Sequence, residues 1–253
     1  MLRFDHVSAG YGRKNVLRDI SFQLRPNRLT VLVGPNGSGK STMLACVNQQ
    51  LRYAGKITVA GQPLDVLSPR QRAKQVAILP QTLPMPHITG WELAAMGRNP
   101  YIDITGRLRE EDRMAVETAL GLVAAEAFAD RYVDSLSGGE AQRCALAMVL
   151  AQTTPLVLLD EPTAYMDIAH AGTFLSTVHR LAGEQGKTVL MTLHDLNLAV
   201  EYADDLLALS EGKLVFSGTK EECLQTAVLE NTFSMKRYTA TDGTAEKTFF
   251  TPR

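Results

Sequence analysis

Gly34-Pro35-Asn36-Gly37-Ser38-Gly39-Lys40-Ser41-Thr42 follows the apolar run Leu29-Thr30-Val31-Leu32-Val33 and leads into Met43-Leu44-Ala45-Cys46-Val47, which has helical character. Strand, glycine-rich turn and helix in that order turn the spacing G-x-x-x-x-G-K-S into a phosphate site. Gly34, Gly37 and Gly39 let the backbone curl until successive N–H groups converge on one anion. The helix that starts there adds unpaired N–H groups and the positive end of its dipole. Lys40 supplies a point charge between the β- and γ-phosphates, and the Ser41 hydroxyl a ligand for Mg²⁺. An ordinary glycine turn capping a helix is the alternative. With glycine at ~7% of residues, the four fixed positions coincide by accident in roughly 1% of chains this size. The stretch Gly34 to Thr42 is therefore read as a nucleotide cradle.

The chain has 253 residues, 45% of them hydrophobic, enough for one α/β domain with an inserted lobe or for two small domains. Its 26 basic and 27 acidic residues leave a net charge of -1, so no overall field favours nucleic acid or an acidic membrane face. Cys46, Cys144 and Cys223 are scattered, without metal-ligand spacing, as thiols that fill space in a reducing cytoplasm would be. Cys46 follows the cradle closely enough to be a candidate for thiol reagents that block nucleotide. The start, Met1 to His6, lacks an apolar signal core. No apolar run approaches the ~18–20 residues of a membrane helix. Any membrane role is thus expected to come through a partner.

Outward from the cradle, Leu17 to Leu24 alternates as a half-buried strand does. Tyr11, in a turn-rich break, can either pack or stack on a purine beside the cradle. Lys56 to Val59 is a short strand, Ser68-Pro69 a helix start, and Val76 to Gln81 a buried strand with a polar end. Pro80, Pro84 and Pro86 then make a stiff linker. Thr89-Gly90-Trp91-Glu92 opens a helix with a capping box. Helical periodicity continues to about residue 152, including 110–123 and 140–152. Alternating strands and helices return with Leu156 to Asp160, a helix after Asp167, a strand 188–193, a helix after His194-Asp195 and a strand 205–210. Thr219 to Glu222 is another capping box, and the tail around Asp242-Gly243 reads as a hairpin. This alternation implies a mostly parallel sheet with its site at the carboxyl ends of the strands.

Two carboxylates end the apolar run Leu156-Val157-Leu158-Leu159. Neighbours on an extended chain face opposite ways, so Asp160 and Glu161 have different tasks. Asp160 can orient a Mg²⁺ shell, and Glu161 can polarise the attacking water. Pro162 biases Glu161 toward extended backbone. In Leu136-Ser137-Gly138-Gly139-Glu140-Ala141-Gln142-Arg143, Ser137 and Glu140 can form a capping box. Two glycines in that first turn each cost roughly 1 kcal/mol against alanine, which suggests close approach to an anion of unstated origin. His194, at a strand end, is either a satisfied buried histidine or a group that reaches the γ-phosphate or the water. Gln81 shares that edge, where its amide can ligate Mg²⁺ or the water.

These residues together resemble the ATP-binding subunit of an ABC transporter, over nearly the whole chain. Tyr11 matches the adenine-stacking loop, Gly34 to Thr42 the Walker A motif, and Gln81 the Q-loop. Leu136 to Arg143 match the signature sequence, Leu156 to Glu161 Walker B, Ala164 to Asp167 the D-loop, and His194 the switch histidine. Glu140 stands where glutamine is more frequent. The resemblance implies a RecA-like P-loop NTPase core with an N-terminal β subdomain, at about 1–83 and 154–253, and an inserted α-helical subdomain at about 84–153. It implies Mg²⁺-dependent ATP hydrolysis, with Glu161, His194 and Gln81 catalytic and Ser41, Gln81 and Asp160 toward the metal. It also implies a head-to-tail homodimer in which Ser137, Gly138 and Gly139 close the partner's cradle and Asp167 lies at the junction. Glu92 to Tyr101, Ser68 to Gln71, Ala147 to Gln152 and His194 to Asn197 resemble importers of ferric siderophores, haem and vitamin B12. That resemblance implies membrane permease subunits contacting the helical subdomain, an extracytoplasmic binding protein, and a place at the cytoplasmic face of the membrane. A soluble ABC ATPase of ribosomes or DNA, or an exporter subunit, are the competing readings. The single cassette and balanced charge argue against the first of these.

Overall fold

The computed structural model describes residues 1–253 except Met85, Ile104, Thr105, Tyr165, residues 242–245 and the side chain of Glu246. An antiparallel sheet holds β1 (Leu2–Tyr11), β2 (Lys14–Gln23), β4 (Tyr53–Val59) and β5 (Gln62–Pro63), in the order β2-β1-β4-β5. A larger sheet holds β3 (Leu29–Val33), β6 (Val76–Leu79), β7 (Leu156–Asp160), β8 (Thr188–Thr192), β9 (Asp205–Ser210) and β10 (Lys213–Thr219), in the order β10-β9-β3-β8-β7-β6. Its pairs are parallel except for β9 with β10. β3 and β8 are buried at every residue, as expected of continuous aliphatic strands covered on both faces.

The helix α1 (Lys40–Val47) lies between the two sheets. Its Met43, Leu44, Cys46 and Val47 share one hydrophobic cluster with Phe4, Ile20 and Ile57 of the antiparallel sheet and with Leu32, Leu158 and Leu207 of the parallel one. The other face of the parallel sheet packs into a second cluster with α3 (Gly90–Ala95), α4 (Glu110–Leu122), α5 (Gly138–Ala151), α6 (Ile168–Glu184) and α7 (Leu196–Tyr202). Shorter helices α2 (Pro69–Ala73), α8 (Lys220–Leu224) and α9 (Val228–Phe233) complete the chain with the hairpin β11 (Met235–Thr241) and β12 (Glu246–Pro252). The Asp242-Gly243 turn expected there lies outside the described residues.

Local signals resolve as physical chemistry predicts. Ser68, Thr89, Ser137 and Thr219 each close a capping box, and Asp167 and Asp195 cap α6 and α7. β2 departs from strict alternation: Leu17 and Ile20 are both buried although three residues apart. Irregular pairing with β1 between Val7 and Ala9, and left-handed backbone at Asp19 (φ 55°), absorb the extra residue.

Within the helical segment, α3, α4 and α5 pack on one another. Arg98 and Asp112, both buried, are joined at 2.8 Å, and Arg98 also donates to the Ala151 carbonyl at 2.7 Å. The three cysteines are free and buried. Burial pushes the thiols of Cys46 and Cys144 up to about 11 and that of Cys223 to about 12. Cys46 is fully enclosed, so the expectation of a reagent-accessible thiol after the cradle is wrong: α1 turns that side chain into the inter-sheet core.

Candidate nucleotide site

Parallel pairing brings the carboxyl ends of β3, β8, β7 and β6 to one edge of the sheet. Gly34 follows β3, Gln81 lies two residues beyond β6, Asp160 ends β7 with Glu161 just after it, and His194 lies two residues beyond β8. Four stretches far apart in sequence thus meet along one line.

Gly34 leaves β3 where no side chain fits. A Cβ there would lie 2.4 Å from the Leu209 carbonyl oxygen and 2.5 Å from Ser38 Oγ. Gly37 (φ 78°) and Gly39 (φ 112°) take left-handed backbone that other residues adopt only with strain. Gly39 is the N-cap of α1 yet offers no side-chain bond, and the first turn of α1 carries no acid. Ser38 Oγ is buried without a hydrogen-bond partner. Lys40 is buried and donates to the Gly34 carbonyl at 2.7 Å. Burial lowers the pKa of its ammonium, against the opposing pull of Glu161 and Asp160. Open N–H groups, an orphaned hydroxyl and a desolvated cation fit a polyanion such as a triphosphate.

Glu161 is the most constrained group on the edge. Gln81 Nε2 donates to its Oε2 at 2.7 Å, and His194 Nε2 lies 2.5 Å from its Oε1. Its carboxylate is nearly enclosed while His194 is half-exposed. The backbone expectation fails here: Glu161 has φ 49°, in the left-handed region, and is not extended. β7 stops at Asp160, and the chain must turn sharply before Pro162, so the proline's preference is overridden. Gln81, expected to face metal or water, is seen on Glu161. Asp160 accepts a hydrogen bond at Oδ1 from Thr192 Oγ1 at 2.8 Å, and the same hydroxyl accepts from the Glu161 N–H at 2.8 Å. Thr192 is fully buried and pairs with Asp160 in the sheet register. The sequence reading missed it, although a hydroxyl at the end of the aliphatic run Val189-Leu190-Met191 was the available signal.

Among the described residues no three His, Cys, Asp or Glu side chains gather to hold a metal by themselves. The oxygen donors of Ser41, Asp160 and Gln81 are of the hard type that suits Mg²⁺ completed by phosphate oxygens. Tyr11, at the end of β1, is exposed, which removes the packing alternative. It pairs with Lys14 two residues before Val16, whose side chain with that of Leu17 borders Gly39.

The signature turn is built differently. Ser137 caps α5, its Oγ 2.9 Å from Glu140 Oε2, and Arg131 holds the other Glu140 oxygen at 3.1 Å. Among the described residues, the hydrogen bonds of Ser137 stay within its own helix start. Gly138 is exposed and Gly139 partly so. Asp167, also exposed, accepts from the His170 N–H at 2.9 Å and lies 2.7 Å from His170 Nδ1. Tyr165 of the D-loop lies outside the described residues.

A glycine-lined cradle beside paired carboxylates on parallel strand ends defines a P-loop nucleotide-hydrolysing core. The ABC transporter family profile matches residues 17–164, more than half of the chain. This protein belongs to the ABC transporter family and is an ATPase of it. It is 38% identical over 248 residues to the iron(3+)-hydroxamate import ATP-binding protein FhuC of Bacillus subtilis, covering 97% of this chain and 92% of that one. It is 37% identical over 237 residues to the ferric enterobactin transport ATP-binding protein FepC of Escherichia coli, covering 93% and 88%. Among solved structures, a metal-chelate-type ABC transporter in an inward-facing conformation superposes with a TM-score of 0.87 at 27% identity, over 100% of this chain and 97% of that one.

Proposed function

We propose that this chain is the nucleotide-binding subunit of an importer for a ferric chelate of the siderophore class, with haem and cobalamin as neighbouring cargo classes. The relatives that import iron(3+)-hydroxamate and ferric enterobactin support the cargo class, because the similarity runs through nearly all of each chain. Residues 84–153, the helical subdomain after Gln81, are the surface for membrane permease subunits, fed by an extracytoplasmic binding protein. The working place of the chain is then the cytoplasmic face of the membrane. No helix among the described residues is long and apolar enough to cross it.

One observation carries the mechanism: the Glu161 carboxylate is gripped at one oxygen by Gln81 and at the other by His194, on a backbone pinned by Thr192. A carboxylate held this firmly is aimed before the reaction starts, so orienting it costs little when water is activated. Glu161 is the general base, and His194 and Gln81 set its direction and adjoin the γ-phosphate. Lys40 and the N–H groups of Gly37 to Ser41 hold the triphosphate, and Tyr11 stacks on the base. Ser41, Asp160 and Gln81 would hold Mg²⁺, which would supply charge neutralisation of the triphosphate. Ser137, Gly138, Gly139 and Asp167 serve the nucleotide of a second copy, arranged head to tail.

Glu161→Gln tests this. Turnover falls by about 10²- to 10⁴-fold while ATP binding is kept, and nucleotide-bound pairs of the chain accumulate. Phosphate release at the wild-type rate would remove Glu161 from its role. Uptake of a ferric hydroxamate by cells carrying the chain with its permease, lost in the same variant, tests the cargo.

A further inference from the structure

Two of the segments assigned to the second copy's nucleotide are joined inside one chain. The link is His170, the third residue of α6, which has no part in the chemistry described above. Its N–H and Nδ1 take both oxygens of Asp167, at 2.9 and 2.7 Å. The same ring lies beside the signature turn: a Cβ built on Gly139 would lie 3.8 Å from His170 Cδ2 and 3.9 Å from its Cγ, and would meet no other residue within 4 Å. One imidazole thus bonds Asp167 and stands next to Gly139.

The surroundings make that contact consequential. A cleft of about 330 Å³ separates α6 from the ends of α4 and α5, lined by Leu122, Leu146, Phe174 and Thr177 among others, with His170 and Gly139 on its wall. α6 packs on β3, β8 and α7, whereas α5 packs on α3 and α4. α5 and α6 therefore border a shared cleft, and His170 and Gly139 stand together on its wall at the end that carries both motifs. Asp167 is exposed, and without the imidazole its carboxylate keeps only the backbone N–H bond that caps α6, so its second oxygen is released.

We propose that His170 is a positioning residue that fixes Asp167 to the Ser137–Gly139 turn, so that both reach the partner's nucleotide as one unit. This rests on the paired-chain reading above. The imidazole does not touch nucleotide. It sets the distance between two groups that do, and its removal lowers the affinity of one ATP-loaded chain for another without altering the cradle.

The test uses the full chain in the Glu161→Gln background, where hydrolysis does not dissipate the pair. Self-association with ATP and Mg²⁺ is followed by sedimentation, and ATP binding is titrated on chain too dilute to pair. His170→Leu keeps bulk beside Gly139 and removes the ring donor while leaving the backbone N–H bond to Asp167; pairing weakens roughly tenfold while ATP affinity of the dilute chain shifts by less than about twofold. His170→Gln, which can still donate to Asp167, recovers most of the loss. Should the leucine variant fail to fold, His170→Ala takes its place with the same expectations. Pairing unchanged in His170→Leu overturns the proposal. So does an equal loss of single-chain ATP binding, which marks a folding role, or a glutamine variant no better than leucine. If Glu161→Gln itself does not pair with ATP, the paired-chain reading fails first, and that result is separable because it appears with His170 intact.

Discussion

α1 and α5 both begin at a glycine-rich turn, and their first turns are finished in opposite ways. α1 has a glycine N-cap, no side-chain bond, no acid and a buried lysine. α5 is closed by Ser137 and Glu140 in a complete capping box, and Glu140 is held in turn by Arg131. Hydrogen bonds from Ser137 hold the Glu140 carboxyl below the usual carboxylate range. A helix end left open in its own chain is made for a ligand that arrives in that chain. One that is self-satisfied and exposed can wait, stable, for a phosphate brought by another molecule.

The sharpest way to break this contrast is a pair of variants. Lys40→Ala should weaken ATP binding by the dilute chain roughly 100-fold, the order of a charge-assisted bond lost from a buried site. Ser137→Ala should leave that titration unchanged and abolish ATP-driven pairing, read by sedimentation. Equal effects of both on single-chain binding would erase the distinction between the two ends.

A second prediction concerns what anchors α5 at its far end. Asp112→Asn breaks the buried pair with Arg98 and should cost about 3 kcal/mol. Burial opposes the charge on Asp112, but hydrogen bonds from the Arg109 N–H and the Arg98 side chain prevail and depress its pKa. The stability this supplies is complete above the unfolded carboxyl value and is lost as pH falls through the folded one. Trp91, the single tryptophan, sits on α3 in the same helical segment. Its fluorescence should report an acid transition that Asp112→Asn abolishes, while α1 stays protected in hydrogen exchange.

Smaller effects refine the picture. Glu140→Gln removes a negative charge from the signature turn and should strengthen ATP-driven pairing a few-fold, most visibly at low salt. Glu161→Gly relieves left-handed strain worth about 1 kcal/mol and should unfold at a higher temperature than Glu161→Gln, though both are inactive. An equal melting temperature would mean that the turn at Glu161 is not strained.

The cradle was legible because its meaning is local: glycine spacing, lysine and the flanking strand and helix stand together in Leu29 to Val47. Capping residues were legible for the same reason, and Ser68, Thr89, Ser137 and Thr219 occupy the places their spacing indicates. Thr192 was not, because its hydroxyl has meaning only once β7 and β8 are in register and bring Asp160 opposite it. Glu161 shows the converse: the local rule for a residue before proline was applied correctly and overruled by the turn that ends β7. Bulges at the β1–β2 pairing escaped the alternation for a similar reason, since they are a property of two strands.

The three enclosed thiols have a practical bearing. Each is at most 1% exposed, and the pKa of each, raised by burial, leaves almost no thiolate at neutral pH. Spectroscopic labels directed to an introduced surface cysteine will therefore attach there without first stripping the native ones. Distances between a probe on α4 and one on the antiparallel sheet become measurable in an otherwise unaltered molecule.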